Sequence, residues 1–296
     1  MTQSVLILGA TGRFGRNAMV AFRNAGWTVR IFDRTTDSLA QAARGADVIV
    51  NAWNPPYPDW QAQVPELTRR VISVARDTGA TVIIPGNVYV FGADVPGPWS
   101  AATPHLAQNP LGRIRIGMEE AYRASTVRTI ILRAGDYLDT CASGNWFDRV
   151  MIKSLAQGRF IYPGNPDIAH AWAYLPDLAR AAVVLAEMRE SLPRFCDVPY
   201  QGYTATGSEM AQALSRVTGR HVSVQRMNWL PIQLARPFWR VVPYLLEMRY
   251  LWNTPHSLED SFFRELVGGF QRTDLDTALK RAIPGALRPD GVLAPA

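Results

Sequence analysis

A chain of 296 residues with 48% hydrophobic content can bury one large α/β core and a smaller appended lobe, and it does not have the composition of a disordered protein. The net charge of +6 rests on 29 arginines and only two lysines, Lys153 and Lys280; dispersed among the predicted helices, they form no clustered basic patch of the kind that nucleic acid requires. Two cysteines, Cys141 and Cys196, without a C-x-x-C partner, and four histidines without ligand spacing (His105, His170, His221, His256) argue against a disulfide framework and a metal site, and fit a reducing, cytoplasmic compartment.

In chain order, the first predicted element is an apolar strand over 5–8, so early that no signal peptide is expected before it. It breaks into Gly9-Ala10-Thr11-Gly12-Arg13-Phe14-Gly15 and leaves as a helix over 14–25 that Gly26 ends. In such a turn the first glycine permits the bend, the second lets backbone N–H groups approach a pyrophosphate, and the third lets helix and strand pack closely. The phosphates would rest on the helix N-terminus, where unpaired N–H groups and the helix dipole favour an anion. The run therefore reads as a dinucleotide-binding opening, with Gly9, Thr11, Gly12, Arg13, Phe14 and Gly15 as candidate contacts. A second strand, 28–32, runs into Asp33, 18 positions past Gly15, where such folds place the carboxylate that accepts the adenosine ribose hydroxyls.

Further nearly all-apolar strands are predicted at 48–51, 82–85 and 129–132, with an amphipathic helix over 60–78. The alternation implies a doubly wound parallel sheet, whose ligands bind beyond the carboxyl ends of the strands. The residues after each strand are thus the informative ones. After the third come Asn51, Ala52 and Trp53 and a proline-rich loop to Pro58, either a cofactor cover or a plain connection. After the fourth come Pro85, Gly86, Asn87, Val88 and Tyr89; after the fifth come Arg133, Ala134, Gly135, Asp136 and Tyr137. Past residue 144 the alternation loosens. Pro176 opens a predicted helix over 177–189, and Thr206 with Glu209 forms a capping box for a helix running to Thr218. The stretch 229–252 is rich in tryptophan, leucine and proline, but its charges and prolines exclude a spanning helix. It reads as a lid, a substrate lobe or a dimer face; surface attachment to a membrane would call for more lysine and a cleaner amphipathic stripe.

Together these segments resemble the extended short-chain dehydrogenase/reductase family, which includes sugar-nucleotide epimerases and dehydratases. The run from Gly9 to Gly15 is similar to its glycine motif, 48–52 to its third strand, 82–92 to its fourth strand with the trailing tyrosine-glycine region, 131–136 to its fifth, and 171–181 to the stretch before a late helix. The resemblance covers roughly residues 4–220. It implies a Rossmann-type doubly wound parallel sheet with a smaller C-terminal substrate lobe: a dinucleotide-binding domain over 1–200, with 136–160 contributing to the lobe, and the lobe itself over 201–296. It also implies NAD or NADP as cofactor and a small carbonyl or hydroxyl substrate; the sequence carries no sign of oligomeric state, and a homodimer is the expectation only as the common outcome for soluble enzymes.

The family further implies a catalytic Ser or Thr, Tyr and Lys, and here the chain departs from it. The residues four before the two lysines are Arg149 and Asp276, so no Tyr-x-x-x-Lys exists. Aligning Glu119 with a glutamate of the family places Leu111 in the tyrosine slot, Arg115 in the lysine slot and Asn87 in the serine slot. Arg115 can hold ribose hydroxyls but cannot titrate, and Asn87 can orient a carbonyl but has no acid-base capacity. Two readings follow. In one, the chemistry has moved to Tyr89, Tyr137 or Asp136, with Asn87 and Arg115 in support. In the other, the chain is a catalytically inactive sensor or regulator resembling the NmrA-like branch, acting through a protein partner. Asp33 favours NAD, while Arg34 and Arg13, read as turned toward the same corner, keep NADP open; Arg34 reads equally well as a solvated loop residue.

Overall fold

The computed structural model describes residues 2–288. Strands β1 (Ser4–Leu8), β2 (Thr28–Phe32), β3 (Val48–Asn51), β4 (Thr81–Gly86) and β5 (Thr129–Arg133) alternate with helices α1 (Arg13–Asn24), α2 (Leu39–Ala42), α3 (Trp60–Thr78) and α4 (Pro110–Ala124). The second half adds β6 (Asp136–Leu138), β7 (Arg159–Tyr162), β8 (His170–Tyr174), α5 (Leu175–Glu187), β9 (Phe195–Pro199), β10 (Tyr203–Ala205), α6 (Gly207–Thr218) and β11 (Ser223–Arg226). Helices α7 (Leu230–Leu234), α8 (Val242–Glu247), α9 (Ser261–Leu266) and α10 (Leu275–Ala282) follow.

Six strands form one parallel sheet in the order β2-β1-β3-β4-β5-β9. The apolar runs of β1, β3, β4 and β5 are explained by helices on both faces: Leu6, Ile49, Val82 and Ile131 pack toward α3 and α4, while Val5, Ile7, Val50 and Ile130 pack toward α1 and α5. This is the doubly wound Rossmann-type architecture that the alternation predicts. Strand order reverses between β1 and β3, which places the binding crevice at the tips of those two strands.

A smaller layer covers the carboxyl side. Strand β8 pairs antiparallel with β10 and parallel with β6, β7 pairs parallel with β11, and their apolar side chains form a separate core with α6 and α10 around Trp172, Met210, Leu214 and Leu279. The chain thus leaves the main sheet at β6, builds three strands over it, and returns through α5 to add β9, a sixth strand that the sequence did not announce. The Thr206–Glu209 capping box is present: Glu209 N donates to Thr206 Oγ1 and Thr206 N donates to Glu209 Oε2. Two helix boundaries differ from expectation. Helix α1 begins at Arg13, one residue earlier, because Gly12 is its N-cap. Helix α5 runs from Leu175 to Glu187 and not over 177–189, with Tyr174 as N-cap and Asp177 taken up by Thr273 and Arg180. Among the described residues no helix is long and apolar enough to cross a membrane.

Candidate functional site

The glycine turn has the geometry its spacing predicts. Gly9 has φ +77°, and a β-carbon there would sit 2.9 Å from the Ala52 carbonyl oxygen; one on Gly15 would sit 2.1 Å from the Gly9 carbonyl oxygen. The first glycine therefore admits the β3 tip, and the third lets α1 close onto the turn. Gly12, exposed, N-caps α1 with no side-chain cap, and the first turn of α1 carries no acidic residue. Its leading N–H groups are left for an anion from outside, which is the fit expected of a dinucleotide pyrophosphate. Thr11 is exposed beside them, while Phe14 is buried and anchors α1 to the sheet.

At the β2 tip Asp33 is exposed, and its Oδ1 accepts hydrogen bonds from Thr35 N (2.9 Å) and Thr35 Oγ1 (2.7 Å). These bonds hold its carboxyl below the ordinary carboxylate range, and its second oxygen has no partner among the described residues. Arg34 is exposed. Arg13 does not turn toward this corner as expected. Its guanidinium donates to the carbonyls of Ser143 (3.1 Å) and Gly144 (2.5 Å), and its charge works against the burial that raises the phenols of Tyr57 and Tyr137. Arg16 and Asn17 hold Asp139 from the same helix. The segment after β6 is thereby tied across the glycine turn.

At the β3 tip Asn51 is buried; its Nδ2 donates to Tyr122 Oη (3.2 Å) and its Oδ1 has no partner. Ala52 abuts Gly9, and Trp53 packs edge-on against Phe32, with centroids 5.4 Å apart. The proline loop beyond delivers two groups that sequence reading left unassigned. Asn54 Oδ1 accepts from Arg115 Nη2 at 2.7 Å, and Tyr57 Oη lies 2.6 Å from Tyr89 Oη. Arg115 lies over the Trp60 ring at 4.2 Å, with its Nε unpartnered. Burial lowers its pKa, against the opposing pull of Glu119 and Tyr89. Leu111, in the slot where the resembled family has tyrosine, is fully buried.

At the β4 tip, Pro85 and Gly86 pair with β5, and a β-carbon on Gly86 would strike Ile131. Asn87 Oδ1 accepts from Tyr89 N (3.1 Å), which leaves its amide NH₂ without a partner among the described residues. Its carbonyl accepts from Arg133 Nη1 (2.5 Å). Arg133 is fully buried and bonds both Glu119 (2.7 Å) and Asp197 (2.6 Å). Burial alone would lower its pKa, but the two carboxylates together outweigh it and hold the charge firmly. His105 joins this group: its ring, Glu119 and Asp197 lie within 4.8 Å of one another, a clustering that linear spacing concealed. The cation between the carboxylates is Arg133.

Asp136 and Tyr137 open β6. Asp136 Oδ2 lies 2.8 Å from His170 Nε2 on β8. The buried His170 ring is stacked on Trp252 (4.3 Å) and meets His256 edge-on (4.4 Å). Tyr137 makes no side-chain hydrogen bond among the described residues. Burial pushes Tyr137 up to about 12 and raises Tyr57; it raises Tyr89 well above its ordinary value, with Tyr57 and Asp136 adding to the shift. All three phenols are protonated at neutral pH. The fold therefore gathers Asn87, Tyr89, Arg115, Asp136 and Tyr137 at one end of the crevice and adds Asn54, Tyr57 and His170. Asn54 and Tyr57 carried no sequence signal beyond lying in an aromatic loop after a strand, and His170, the first residue of β8, carried none. A groove of about 640 Å³ between α3 and α4, lined by Val64, Ile72, Arg113 and Met118 among others, includes none of these residues.

No family model matches the chain, and no curated protein matches it. Solved structures do. MoeE5 in complex with UDP-glucose and NAD superposes with a TM-score of 0.72 at 16% identity, over 94% of this chain and 97% of that one. UDP-glucose 4-epimerase from Brucella ovis in complex with NAD gives 0.70 at 18%, over 95% and 97%. A short-chain dehydrogenase/reductase superfamily protein from Agrobacterium tumefaciens with bound NAD gives 0.69 at 16%, over 95% and 96%. Across nearly its whole length, this chain has the fold of those proteins.

Proposed function

We propose that this chain binds NAD or NADP across the β1/β3 crevice and acts as an oxidoreductase, or as an epimerase- or dehydratase-like enzyme, of the extended short-chain dehydrogenase/reductase type on a small carbonyl or hydroxyl substrate. The observation that carries the reading is the uncapped N-terminus of α1 behind a glycine turn too close-packed for any β-carbon at Gly9 or Gly15. Gly9 to Gly15 would hold the pyrophosphate and the free oxygen of Asp33 the adenosine ribose, which favours NAD; Arg34 keeps NADP open. Residues 1–200 serve as the dinucleotide half, with 136–160 lent to the lobe, and 201–296 supply the rest of the substrate side. A cytoplasmic location and a homodimer belong to the same reading, the former on the free thiols of Cys141 and Cys196.

When bound, the nicotinamide supplies or accepts a hydride. The chain's own residues handle the substrate oxygen. The amide NH₂ of Asn87 donates to it and holds its orientation. Tyr89 donates the proton on reduction and is replenished through Tyr57, 2.6 Å away. In the oxidative direction the same route runs in reverse: Tyr89 takes the proton from the substrate hydroxyl as it is relayed through Tyr57, and the charge of Asp136, partly exposed and braced by His170, draws the proton away. The fixed charge of Arg115 favours developing negative charge on the oxygen, and its unpartnered Nε is free to donate.

One observation favours the second reading, a dinucleotide sensor without turnover: Tyr89 is shifted up, whereas a tyrosine acting as base needs to be shifted down. Fluorescence titration with NADH and NADPH tests binding, and loss of both signals would remove the proposal. Incubation with either cofactor and a panel of aldehydes, ketones and nucleotide sugars separates the two readings. Turnover that falls in Tyr89→Phe supports the enzyme; tight cofactor binding with no turnover on any substrate supports the sensor.

A further inference from the structure

Seven large hydrophobic side chains stand exposed among the described residues, and four of them fall within one ten-residue stretch: Leu230 (56%), Leu234 (68%), Phe238 (91%) and Trp239 (51%). This concentration is not the scatter normal for a protein surface. Helix α7 ends at Leu234, and hydrogen-bonded turns continue the path, Phe238 N and Trp239 N both donating to Ala235 O. Leu230 and Leu234, four apart in α7, share a face, and Phe238 and Trp239 stand exposed in the turns beyond it, while Trp229 turns inward, its indole N–H bonded to Pro163 O. The exposed apolar side chains are thus carried by one short helix and the turns after it, with arginine in place of lysine and without the continuous stripe that the sequence reading asked for.

The segment's own charges are of one sign, and an acid from outside it, Asp59, faces Arg240 at 3.7 Å. Residues 229–246 contain Arg236 and Arg240 and no carboxylate. Arg249 is exposed and lies over the Trp229 ring at 5.1 Å. Glu247, the nearest acid in sequence, is turned into the fold, where it accepts from Asn109 Nδ2 and Leu111 N. An exposed Phe-Trp pair with two flanking leucines, rimmed by arginines, matches the boundary of an anionic bilayer, where apolar and aromatic side chains enter and guanidinium groups meet lipid phosphates. A second copy of the same face would bring like charges together.

We propose that the 230–240 segment docks the protein peripherally on an anionic membrane surface. The segment also adjoins the candidate site: Arg240 lies 3.7 Å from Asp59, and Tyr244 of α8 packs on Tyr57 with centroids 6.5 Å apart. Docking there would hold the site's mouth beside the bilayer. The proposal does not depend on the chemistry proposed above.

The test is co-sedimentation of the full chain with vesicles of phosphatidylcholine alone or mixed with phosphatidylglycerol, at low and high salt. The expected result is binding to the mixed vesicles at low salt and little to the neutral ones. Arg236→Gln/Arg240→Gln should weaken it about thirtyfold, and Phe238→Ser/Trp239→Ser at least about tenfold, with thermal unfolding unchanged in both because the side chains are exposed. Failure to sediment with the mixed vesicles, or binding that survives both double variants, overturns the proposal. So does a dimer in solution that Phe238→Ser/Trp239→Ser dissociates, which would assign the face to a second copy. Capture by polyglutamate without vesicle binding would assign it to an acidic protein partner, and also overturns the proposal.

Discussion

The hydroxyl of Tyr57, from the proline loop after β3, lies 2.6 Å from the hydroxyl of Tyr89, at the tip of β4. The two rings sit 6.5 Å apart between centroids, and each also packs against Trp60. A loop that reads as either a cofactor cover or a plain connection thereby supplies half of a half-buried hydrogen-bonded pair. The pair stands beside Arg115, whose guanidinium lies over the same Trp60 ring.

Removing that pair from both sides should cost less than the two one-sided losses added together. Tyr57→Phe or Tyr89→Phe leaves one hydroxyl without its partner, an expected loss of about 1–3 kcal/mol. The double Phe variant should lose less than the sum of the singles, by about 1 kcal/mol. Urea denaturation of the four proteins measures this, and additive losses would mean that the hydrogen bond contributes nothing. If the chain is an enzyme, Tyr89→Phe should also lower kcat by about 10²-fold or more, beyond any effect of Tyr57→Phe.

Arg133 is the second point of leverage. It is the cation shared by Glu119 and Asp197, and it holds the Asn87 carbonyl at 2.5 Å. Arg133→Met would strand two buried carboxylates, an expected cost of about 3–5 kcal/mol. Exposed Arg216, paired with Asp276 at 2.8 Å, provides the contrast, since Arg216→Met should leave the urea midpoint nearly unchanged. Equal losses in the two variants would show that the Arg133 cluster is not a structural centre.

Elements with local causes were legible in the sequence. The bounds of α3 and β3 fall where the apolar periodicity puts them, and the Thr206–Glu209 box is a four-residue signal that needs no tertiary context. The glycine turn was legible for the same reason: each glycine answers to a backbone approach within the turn or from the adjacent strand. The pairs that assemble the candidate site join residues 32 and 34 positions apart, Tyr57 with Tyr89 and Asp136 with His170. No local pattern encodes them. Strand β9 escaped because Asp197 interrupts its apolar run, and the reason for an acid there, Arg133 on the neighbouring strand, exists only in the folded sheet. Arg13 was misdirected for a related reason: its partners, the carbonyls of Ser143 and Gly144, lie about 130 positions away.

Acid should destabilise the protein through His256. Burial, reinforced by the neighbouring His170, pushes this imidazole from an ordinary value of 6.5 down to about 3. Between those values the unfolded chain takes up a proton that the folded one refuses, so its contribution to stability is whole above pH 6.5 and falls as pH drops toward 3. The slope is about 1.4 kcal/mol per pH unit, or about 2 kcal/mol lost between pH 6.5 and 5. His105, also lowered by burial and by Arg133, adds to the same trend. His256→Phe keeps the stack on Trp99 and should flatten the decline. An unchanged pH profile of the urea midpoint in that variant would place the titration elsewhere.

Gly12 and Gly15 should separate binding from folding. A methyl on Gly15 would lie 2.1 Å from the Gly9 carbonyl oxygen and 2.8 Å from its carbon, backbone atoms that cannot move without opening the β1 turn. Gly15→Ala should therefore lose several kcal/mol of stability, on the order of 3 or more, and cofactor binding with it. At Gly12 the nearest atom to such a methyl is the Gly9 oxygen at 3.2 Å, and φ is −76°, which alanine adopts freely. Gly12→Ala should fold with a change of about 1 kcal/mol or less. Its methyl, at the uncapped start of α1, would stand where the pyrophosphate must approach the N–H groups, so NADH affinity should fall by about tenfold or more. Thermal unfolding and NADH fluorescence on the two variants check both halves: a Gly12→Ala protein that is stable and still binds NADH with unchanged affinity would mean that the turn is architectural and the dinucleotide is held elsewhere.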